Sequence, residues 1–182
     1  MRFEVTSFTD KNGHTFTLRN AEVTDAEDLI EYLKKTAAET PYLMREPEEI
    51  TLTAEQERAF IQSKIDDDRE LMLVAVIDGR HAGNCSLMRA GGCRRYRHRC
   101  DVAIALYQAY WGKGIGKTML KTVLAIAKDL GYEQAELEVI AGNDNAIAMY
   151  EKLGFQKYGV FPDNMKYSDG RYVDAYWMMK KL

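Results

Sequence analysis

Residues 101–117 constrain the fold of this chain more than any other stretch. They read DVAIALYQAYWGKGIGK: an apolar segment typical of a strand, a polar and aromatic turn, then glycines at alternate positions, Gly112, Gly114 and Gly116. Apolar residues at helical spacing follow up to Leu130, so a helix is predicted to begin at the glycines. Glycine lets the backbone approach a ligand closely, and a helix N-terminus offers unpaired N–H groups to phosphate. The stretch therefore predicts a strand–loop–helix unit that binds the pyrophosphate of a cofactor.

Strands and helices on both sides of this unit predict an α/β fold with three layers. The expected order is two strands, two helices, three strands, a helix, a strand, a helix and two strands. The boundary signals are an Asn12-Gly13 hairpin turn, capping boxes at Thr24–Glu27 and Thr53–Gln56, a central hairpin over residues 71–88, a helix stop at Gly131, a helix cap at Asn143 or Asn145, and a final turn at Asp169-Gly170. Because neither a repeat nor a linker interrupts this order, residues 1–182 are expected to form one domain.

The composition is that of an ordinary globular domain and disfavours several classes of protein. Hydrophobic residues make up 46% of the chain, charged residues 29%, and the net charge is -3. Because no basic stripe is present, no nucleic-acid partner is expected. The run of Arg94, Arg95, Arg97 and Arg99 is interpreted as a solvated loop. No apolar run of about 18 residues is present, so no membrane partner is expected, and the N-terminus lacks the apolar core of a signal peptide.

The three cysteines, Cys85, Cys93 and Cys100, form an odd set without CxxC spacing. This pattern favours neither a disulfide framework nor a metal site. Reduced thiols are typical of the cytoplasm, so a cytoplasmic location is expected. The acidic run over residues 66–68 is consecutive, whereas a calcium loop alternates its ligands, so no metal is predicted there either.

Two familiar phosphate-binding motifs fit the glycines poorly. A dinucleotide-binding loop has the pattern GxGxxG, whereas here the third glycine comes one residue early. A P-loop ends in GK[ST], as Gly116-Lys117-Thr118 does, but its first glycine would fall on Trp111. A tryptophan side chain at that position would obstruct a tight turn around phosphate.

A third motif accounts for more of the chain. The stretch Trp111–Gly116 fits the pattern [RQ]xxGx[GA] except at its first position, and Asn143–Phe155 fits NxxAxxxYxxxGF in full. Together they resemble the two signatures of the GNAT family of acetyl-CoA-dependent N-acetyltransferases, over roughly residue 71 to the C-terminus. The resemblance implies a central mixed, mostly antiparallel twisted sheet with helices on both faces. Residues 166–174 resemble bacterial members that acetylate free amino acids or polyamines.

The resemblance also implies a site for acetyl-CoA. Main-chain groups of Ile104 and Leu106 would bind the pantetheine arm, and the glycine loop would bind the pyrophosphate. The implied cofactor residues are Ile104, Leu106, Trp111, Gly112, Lys113, Gly114, Gly116, Lys117, Asn143 and Asn145. Tyr150 matches the family's general acid, which protonates or hydrogen-bonds the departing thiolate. Asp101 stands where family members often carry a glutamate base, and it is expected to act through a water molecule; His98 or bulk water is the alternative.

The amine site is expected between the first two helices, the strand edge at Asp101 and the last hairpin. Tyr42 and Met44 either pack on the edge of the core or form a wall of the substrate pocket, and Tyr167 and Tyr172 are candidate walls from the last hairpin. The expected reaction is acetyl transfer to a primary amine of a small molecule, with a free amino acid as first choice and a polyamine as second. A protein N-terminus is the rival substrate, and a non-catalytic acyl-CoA-binding module is the rival of another class. A homodimer through the C-terminal strands is an expectation at the level of the family.

Overall fold

The computed structural model describes all 182 residues and places eight strands in a single sheet. The strands are β1 (Thr6–Thr9), β2 (Thr15–Asn20), β3 (Leu71–Ile77), β4 (Arg80–Arg89), β5 (Arg99–Leu106), β6 (Gln134–Ile140), β7 (Gln156–Lys166) and β8 (Tyr172–Lys181). Their order across the sheet is β1-β2-β3-β4-β5-β6-β8-β7. Only β5 and β6 run parallel, and all other neighbours are antiparallel. The predicted mixed, mostly antiparallel sheet is confirmed.

Helices cover both faces of the sheet, as the three-layer prediction requires. They are α1 (Ala26–Glu39), α2 (Ala54–Asp66), α3 (Ile115–Asp129) and α4 (Asp144–Lys152). Strand β3 divides its side chains between two clusters: Met72 and Val74 pack with α1 and α2, whereas Leu71 and Leu73 pack with α3 and α4. The buried side chains of α3 are Ile115, Met119, Leu120, Val123, Leu124 and Ala127. The apolar stripe predicted after the glycines is therefore the buried face of α3. None of the helices combines the length and apolarity needed to cross a bilayer.

The two parallel strands, β5 and β6, separate soon after they begin to pair. Their pairing covers only Arg99 to Asp101 on β5, opposite Gln134 to Glu136 on β6. Beyond this point β6 continues to pair with β8, and β5 continues to pair with β4 as far as Leu106. The sheet is thus split between β5 and β6 at the end of β5 that leads into the glycine loop.

Most of the boundary signals in the sequence are confirmed. The Thr53 hydroxyl accepts the Gln56 N–H, and the Gln56 side chain accepts the Thr53 N–H, which is the predicted capping box of α2. The capping box predicted at Thr24 is wrong. The Asp25 carboxylate accepts the Glu22 N–H and pairs with Arg19 of β2, so a short 3-10 turn precedes α1. The capping box is therefore formed by Glu22 and Asp25, two residues before the predicted one, and the Asp25 carboxylate also pairs with Arg19.

Candidate active site

The open edge of β5 carries backbone groups without a partner strand. At the two ends of β5, the Tyr107 N–H donates to the Ala82 carbonyl and the Arg99 carbonyl accepts the Ala90 N–H. The odd-numbered residues of β5 therefore direct their backbone N–H and carbonyl groups toward β4. Because backbone groups alternate along a strand, Ile104 and Leu106 direct theirs toward the gap between β5 and β6. A bound extended chain could therefore pair with β5 there as an additional strand. This is the geometry expected for the pantetheine arm of a cofactor.

Trp111 anchors the start of the glycine loop to the end of β5. Its indole N–H donates to the Leu106 carbonyl at 2.8 Å, and its backbone N–H donates to the Gln108 carbonyl at 3.1 Å. The Trp111 backbone N–H is therefore already bonded within the chain and does not face phosphate. The Leu106 carbonyl keeps one lone pair for a ligand, since a carbonyl oxygen accepts two hydrogen bonds.

The loop that follows presents a continuous row of free backbone donors. No backbone N–H from Gly112 to Lys117 has an acceptor within the chain. Gly112 and Gly114 have φ angles of +73° and +87°, a region that L-residues rarely adopt. The chain needs glycine at these two positions because that backbone turn exposes the amides at the start of α3. A row of donors at a helix N-terminus is suited to bind phosphate.

Gly116 has a different role from the other two glycines. A Cβ at this position would lie 3.2 Å from Leu106 Cδ1, 3.6 Å from Ile104 Cδ1 and 3.7 Å from Met149 Sδ. Its lack of a side chain lets the first turn of α3 lie directly against β5 and α4. The two lysines of the loop lie on its surface: the Lys113 ammonium is 5.2 Å from the centre of the Tyr110 ring, and Lys117 is exposed.

Tyr150 is buried on α4 and has an unbonded hydroxyl. Its side chain packs edge-on against Phe155, and only 7% of the residue is exposed. The hydroxyl makes no hydrogen bond within the chain, and its oxygen is not completely buried. Burial raises the pKa of Tyr150 well above its ordinary value, so the hydroxyl stays protonated at neutral pH. A protonated hydroxyl that reaches an opening is suited to donate to an anion.

Asn143 precedes α4 without capping it through its side chain. Its backbone carbonyl accepts the Ile147 N–H at 3.0 Å, but its amide group makes no capping bond. The side chain of Asn143 therefore does not cap α4, and its amide group is free to bind a ligand. Asn145 is exposed on the first turn of α4.

Asp101 occupies the last paired position before β5 and β6 separate. It lies opposite Glu136, while its neighbours Cys100 and Val102 are buried beneath α3 and α4. Alternation along the strand therefore places the Asp101 side chain on the opposite face of the sheet from Tyr150. His98, the alternative base, is exposed in the loop before β5.

The charges around Asp101 come from an ion pair on the same face of the sheet. Arg99 contacts Glu136 through Nε at 2.5 Å and Nη2 at 2.6 Å. Burial and the Glu136 carboxylate raise the pKa of Asp101, and Arg99 opposes them. The same Arg99 contact lowers the pKa of Glu136, so Glu136 holds its charge beside Asp101. A carboxylate with a raised pKa at the edge of an opening is suited to accept a proton.

A large cleft lies between the segment that joins α1 to α2 and the β7–β8 hairpin. Its volume is about 640 Å³, and it is lined by Ala37, Ala38, Glu39, Thr40, Pro41, Leu43, Met44, Arg45, Glu46, Pro47, Glu48, Glu49, Met165, Lys166 and Tyr167. Neither Asp101 nor Tyr150 lines it. The Glu39 carboxylate accepts the Gln108 N–H at 2.6 Å, so the cleft adjoins the end of β5.

Three of the four predicted pocket residues lie at or beside this cleft. The Tyr167 hydroxyl donates to the Pro41 carbonyl at 3.1 Å, and the Tyr42 hydroxyl donates to the Gly142 carbonyl at 2.9 Å, just before Asn143. Met44 lines the cleft and is 83% exposed. Tyr172 does not line it: its ring lies beside the Lys166 ammonium, at 5.1 Å.

The family model described as "Acetyltransferase (GNAT) family" matches residues 29–155, which include both motifs, Asp101 and Tyr150. This chain belongs to the GNAT acetyltransferase family. It is therefore an acyltransferase of the N-acetyltransferase type. The open edge of β5 and the free loop amides are suited to the cofactor contacts that the family resemblance implies.

Relatives of known sequence and structure agree with this assignment. An N-alpha-acetyltransferase of Saccharolobus solfataricus is 32% identical over 93% of this chain and 95% of its own length. The L-amino acid N-acetyltransferase AaaT of Escherichia coli is 31% identical over 59% of this chain and 66% of its own length. A GNAT-family acetyltransferase of Streptococcus pneumoniae superimposes with a TM-score of 0.87, at 28% identity, over 92% of this chain and 99% of that one.

A GNAT superfamily phosphinothricin acetyltransferase of Sinorhizobium meliloti has been solved in complex with acetyl-CoA. It superimposes on 92% of this chain and 88% of its own with a TM-score of 0.81, at 21% identity. This similarity shows that the two proteins share a fold.

Proposed function

We propose that this enzyme transfers an acetyl group from acetyl-CoA to a primary amine of a small molecule, with the α-amine of a free amino acid as the preferred acceptor. The separation of β5 from β6 carries the proposal. It leaves the backbone groups of Ile104 and the backbone N–H of Leu106 unpaired, beside the free amides of the glycine loop and the unbonded hydroxyl of Tyr150. The Leu106 carbonyl accepts the Trp111 indole N–H and keeps one lone pair for the ligand. These groups fit the pantetheine arm, the pyrophosphate and the sulfur of acetyl-CoA.

In the proposed reaction each part of the site acts on one step. Acetyl-CoA supplies a thioester, whose C–S bond breaks as the C–N bond to the amine forms. The Tyr150 hydroxyl gives its proton to the departing thiolate sulfur. A free backbone N–H at the end of β5 donates to the thioester oxygen, which becomes negative as the amine attacks. Asp101 accepts the proton that the amine loses, through a water molecule because the aspartate side chain is short.

Charged side chains in the adjoining cleft suit an amino acid. Arg45 and Lys166 are its two cationic residues and can pair with a carboxylate. The bond from Tyr167 to Pro41 joins the two sides of the cleft, which supports a short acceptor. A polyamine remains the second choice, because Glu46, Glu48 and Glu49 line the same cleft.

A protein N-terminus is the rival acceptor to a small molecule. The similarity to the Saccharolobus N-alpha-acetyltransferase over almost the whole chain favours it. A peptide would need a groove that is open at both ends, so the Tyr167 hydroxyl would have to release the Pro41 carbonyl.

The homodimer stays a prediction. The exposed rings of Tyr158, Phe161 and Trp177 lie against one another on β7 and β8, where the contact between subunits is expected.

The test is a measurement of thiol release from acetyl-CoA with the purified protein and a panel of acceptors. The panel contains the free amino acids, their amides, polyamines and short peptides with free or blocked N-termini. The proposal expects turnover with an amino acid, and less with its amide, because the amide lacks the carboxylate. Turnover with peptides alone would transfer the assignment to protein N-termini. Binding of acetyl-CoA without turnover on any acceptor would indicate a non-catalytic acyl-CoA-binding module.

The charge of Glu136 should set the acidic limb of the pH–rate profile. Asp101 must be ionised to accept a proton, so activity falls as the pH drops through its raised pKa. The substitution Glu136→Gln removes the neighbouring negative charge and frees Arg99 to face Asp101. Both changes lower the pKa of Asp101, so the acidic limb of kcat/KM should move to lower pH.

The matched control for this experiment is Glu138→Gln. Glu138 lies two residues along β6 and binds the Trp177 indole N–H at 2.8 Å. The substitution Glu138→Gln removes the same charge at a position farther from Asp101, so it should shift the acidic limb of kcat/KM less. If the acidic limb of kcat/KM lies at the same pH in the wild-type protein and in Glu136→Gln, Asp101 is not the base whose ionisation limits the rate.

A further inference from the structure

The turn of the N-terminal hairpin contacts the glycine loop directly. Lys11 donates its backbone N–H to the Lys113 carbonyl at 2.9 Å, and its ammonium lies 3.4 Å from the Gly112 carbonyl, 101 residues away in the chain. The carbon atoms of its side chain lie over Gly114, where a Cβ would be 3.2 Å from Lys11 Cγ. The family model begins at residue 29, so this turn lies outside the part of the chain that the family model describes.

The turn holds Lys11 in place before any ligand binds. The Asp10 carboxylate accepts the N–H groups of Asn12 and His14 at 2.8 and 2.9 Å, and its side chain is only 1% exposed. Gly13 has a φ of +86° and donates its N–H to the Asp10 carbonyl. A side chain positioned in this way loses less conformational entropy when it binds a ligand than one on a mobile loop.

Lys11 brings a positive charge to donors that are themselves uncharged. The backbone amides from Gly112 to Lys117 offer hydrogen bonds, but a pyrophosphate also carries negative charge that needs a cation. Carboxylates do not neutralise the Lys11 ammonium: its one hydrogen bond is to the Gly112 carbonyl, and it takes part in no ion pair. This carbonyl belongs to the first glycine of the loop, so the ammonium lies at the rim of the row of amides.

We propose that Lys11 is a cofactor-binding residue whose ammonium contacts the pyrophosphate of acetyl-CoA, and that the N-terminal hairpin serves to hold it there. The inference rests on the proposed use of acetyl-CoA. It gives the hairpin a role in the site, which neither sequence motif includes.

The test measures the Kd of CoA and of dephospho-CoA by calorimetry for the wild-type protein, Lys11→Met and Lys11→Arg. The backbone bond from Lys11 to Lys113 survives both substitutions, so the variants isolate the charge. Lys11→Met should weaken both ligands about tenfold, since a hydrogen bond to a charged group contributes on that order. Lys11→Arg should restore most of the affinity. The matched control is Lys128→Met, an exposed lysine in the last turn of α3, which should bind both ligands like the wild-type protein.

The outcomes separate this inference from the proposed function. A wild-type protein that binds no CoA contradicts the proposed function itself. If the wild-type protein binds CoA and Lys11→Met binds it equally well, only the role of Lys11 is wrong. If Lys11→Met loses affinity for CoA but not for dephospho-CoA, the ammonium contacts the 3′-phosphate, and the proposed contact with the pyrophosphate is wrong. The salt dependence of the Kd should also become shallower in Lys11→Met, a change that a purely structural role would not produce.

Discussion

Replacement of Tyr150 by phenylalanine should lower the kcat for acetyl transfer about a hundredfold and leave the Kd of acetyl-CoA nearly unchanged. The substitution removes one oxygen atom that has no partner within the chain, so the packing of the ring against Phe155 is kept. The departing thiolate would then have to take its proton from water. Single-turnover measurements with acetyl-CoA and the best acceptor of the panel would check this, because they report the chemical step separately from product release.

Tyr132→Phe provides the matched control for this prediction. Tyr132 is also a buried tyrosine, but its hydroxyl donates to the Arg69 carbonyl at 3.0 Å, away from Tyr150. Its loss should cost about 1 kcal/mol of unfolding free energy and leave kcat intact. If Tyr150→Phe turned over as fast as Tyr132→Phe, the thiolate would take its proton from another donor.

The substitution Gly83→Ala should destabilise the protein by about 3 kcal/mol and raise the KM for acetyl-CoA. Gly83 pairs with Leu106 at the end of β5. A Cβ on Gly83 would lie 2.6 Å from the Ala105 carbonyl oxygen and 2.8 Å from Leu106 Cα, closer than real Cβ contacts allow. Because these are backbone atoms, β5 would have to move away from β4, and the backbone groups proposed to bind pantetheine would move with it. Urea unfolding and steady-state kinetics would measure the two effects.

Gly92→Ala is the control for the glycine substitution. A Cβ on Gly92 would have no other atom within 4 Å, and the φ angle of Gly92 lies outside the left-handed region. The unfolding free energy of this variant should therefore differ from that of the wild-type protein by no more than about 0.5 kcal/mol. A Gly83→Ala protein as stable as Gly92→Ala would mean that β4 and β5 tolerate the added methyl group without separating.

Local signals in the sequence predicted the elements of this fold well. The period of apolar residues after Gly116 identified the buried face of α3, and the pair Thr53–Gln56 identified the start of α2. These signals depend on residues a few positions apart, so they can be read along the chain. The prediction at Thr24 failed because the capping box lies two residues earlier, between Glu22 and Asp25, where a short 3-10 turn precedes α1. The ion pair from Asp25 to Arg19 on β2 is a contact that spacing along the chain does not show.

Motifs in the sequence indicated some residues of the candidate site, but contacts between distant segments became evident only in the fold. Tyr150 and Asn143 were indicated because their motif is complete, and their roles stay predictions. The sequence also indicated that Trp111 departs from the family pattern, but the hydrogen bond from its indole to Leu106 became evident only in the fold. Glu39, which binds the backbone after β5, carried no signal in the sequence, because its partner, Gln108, is distant in the chain.

By itself, the sequence determined the order of strands and helices, the glycine loop and the family, because each depends on local spacing or on a motif. The tertiary structure decided the rest. It ended the pairing of β5 with β6 at Asp101, placed Tyr150 and Asp101 on opposite faces of the sheet, and brought Lys11 to the loop at Gly112. These features depend on the packing of whole elements against one another, and no short stretch of sequence contains both partners of such a contact.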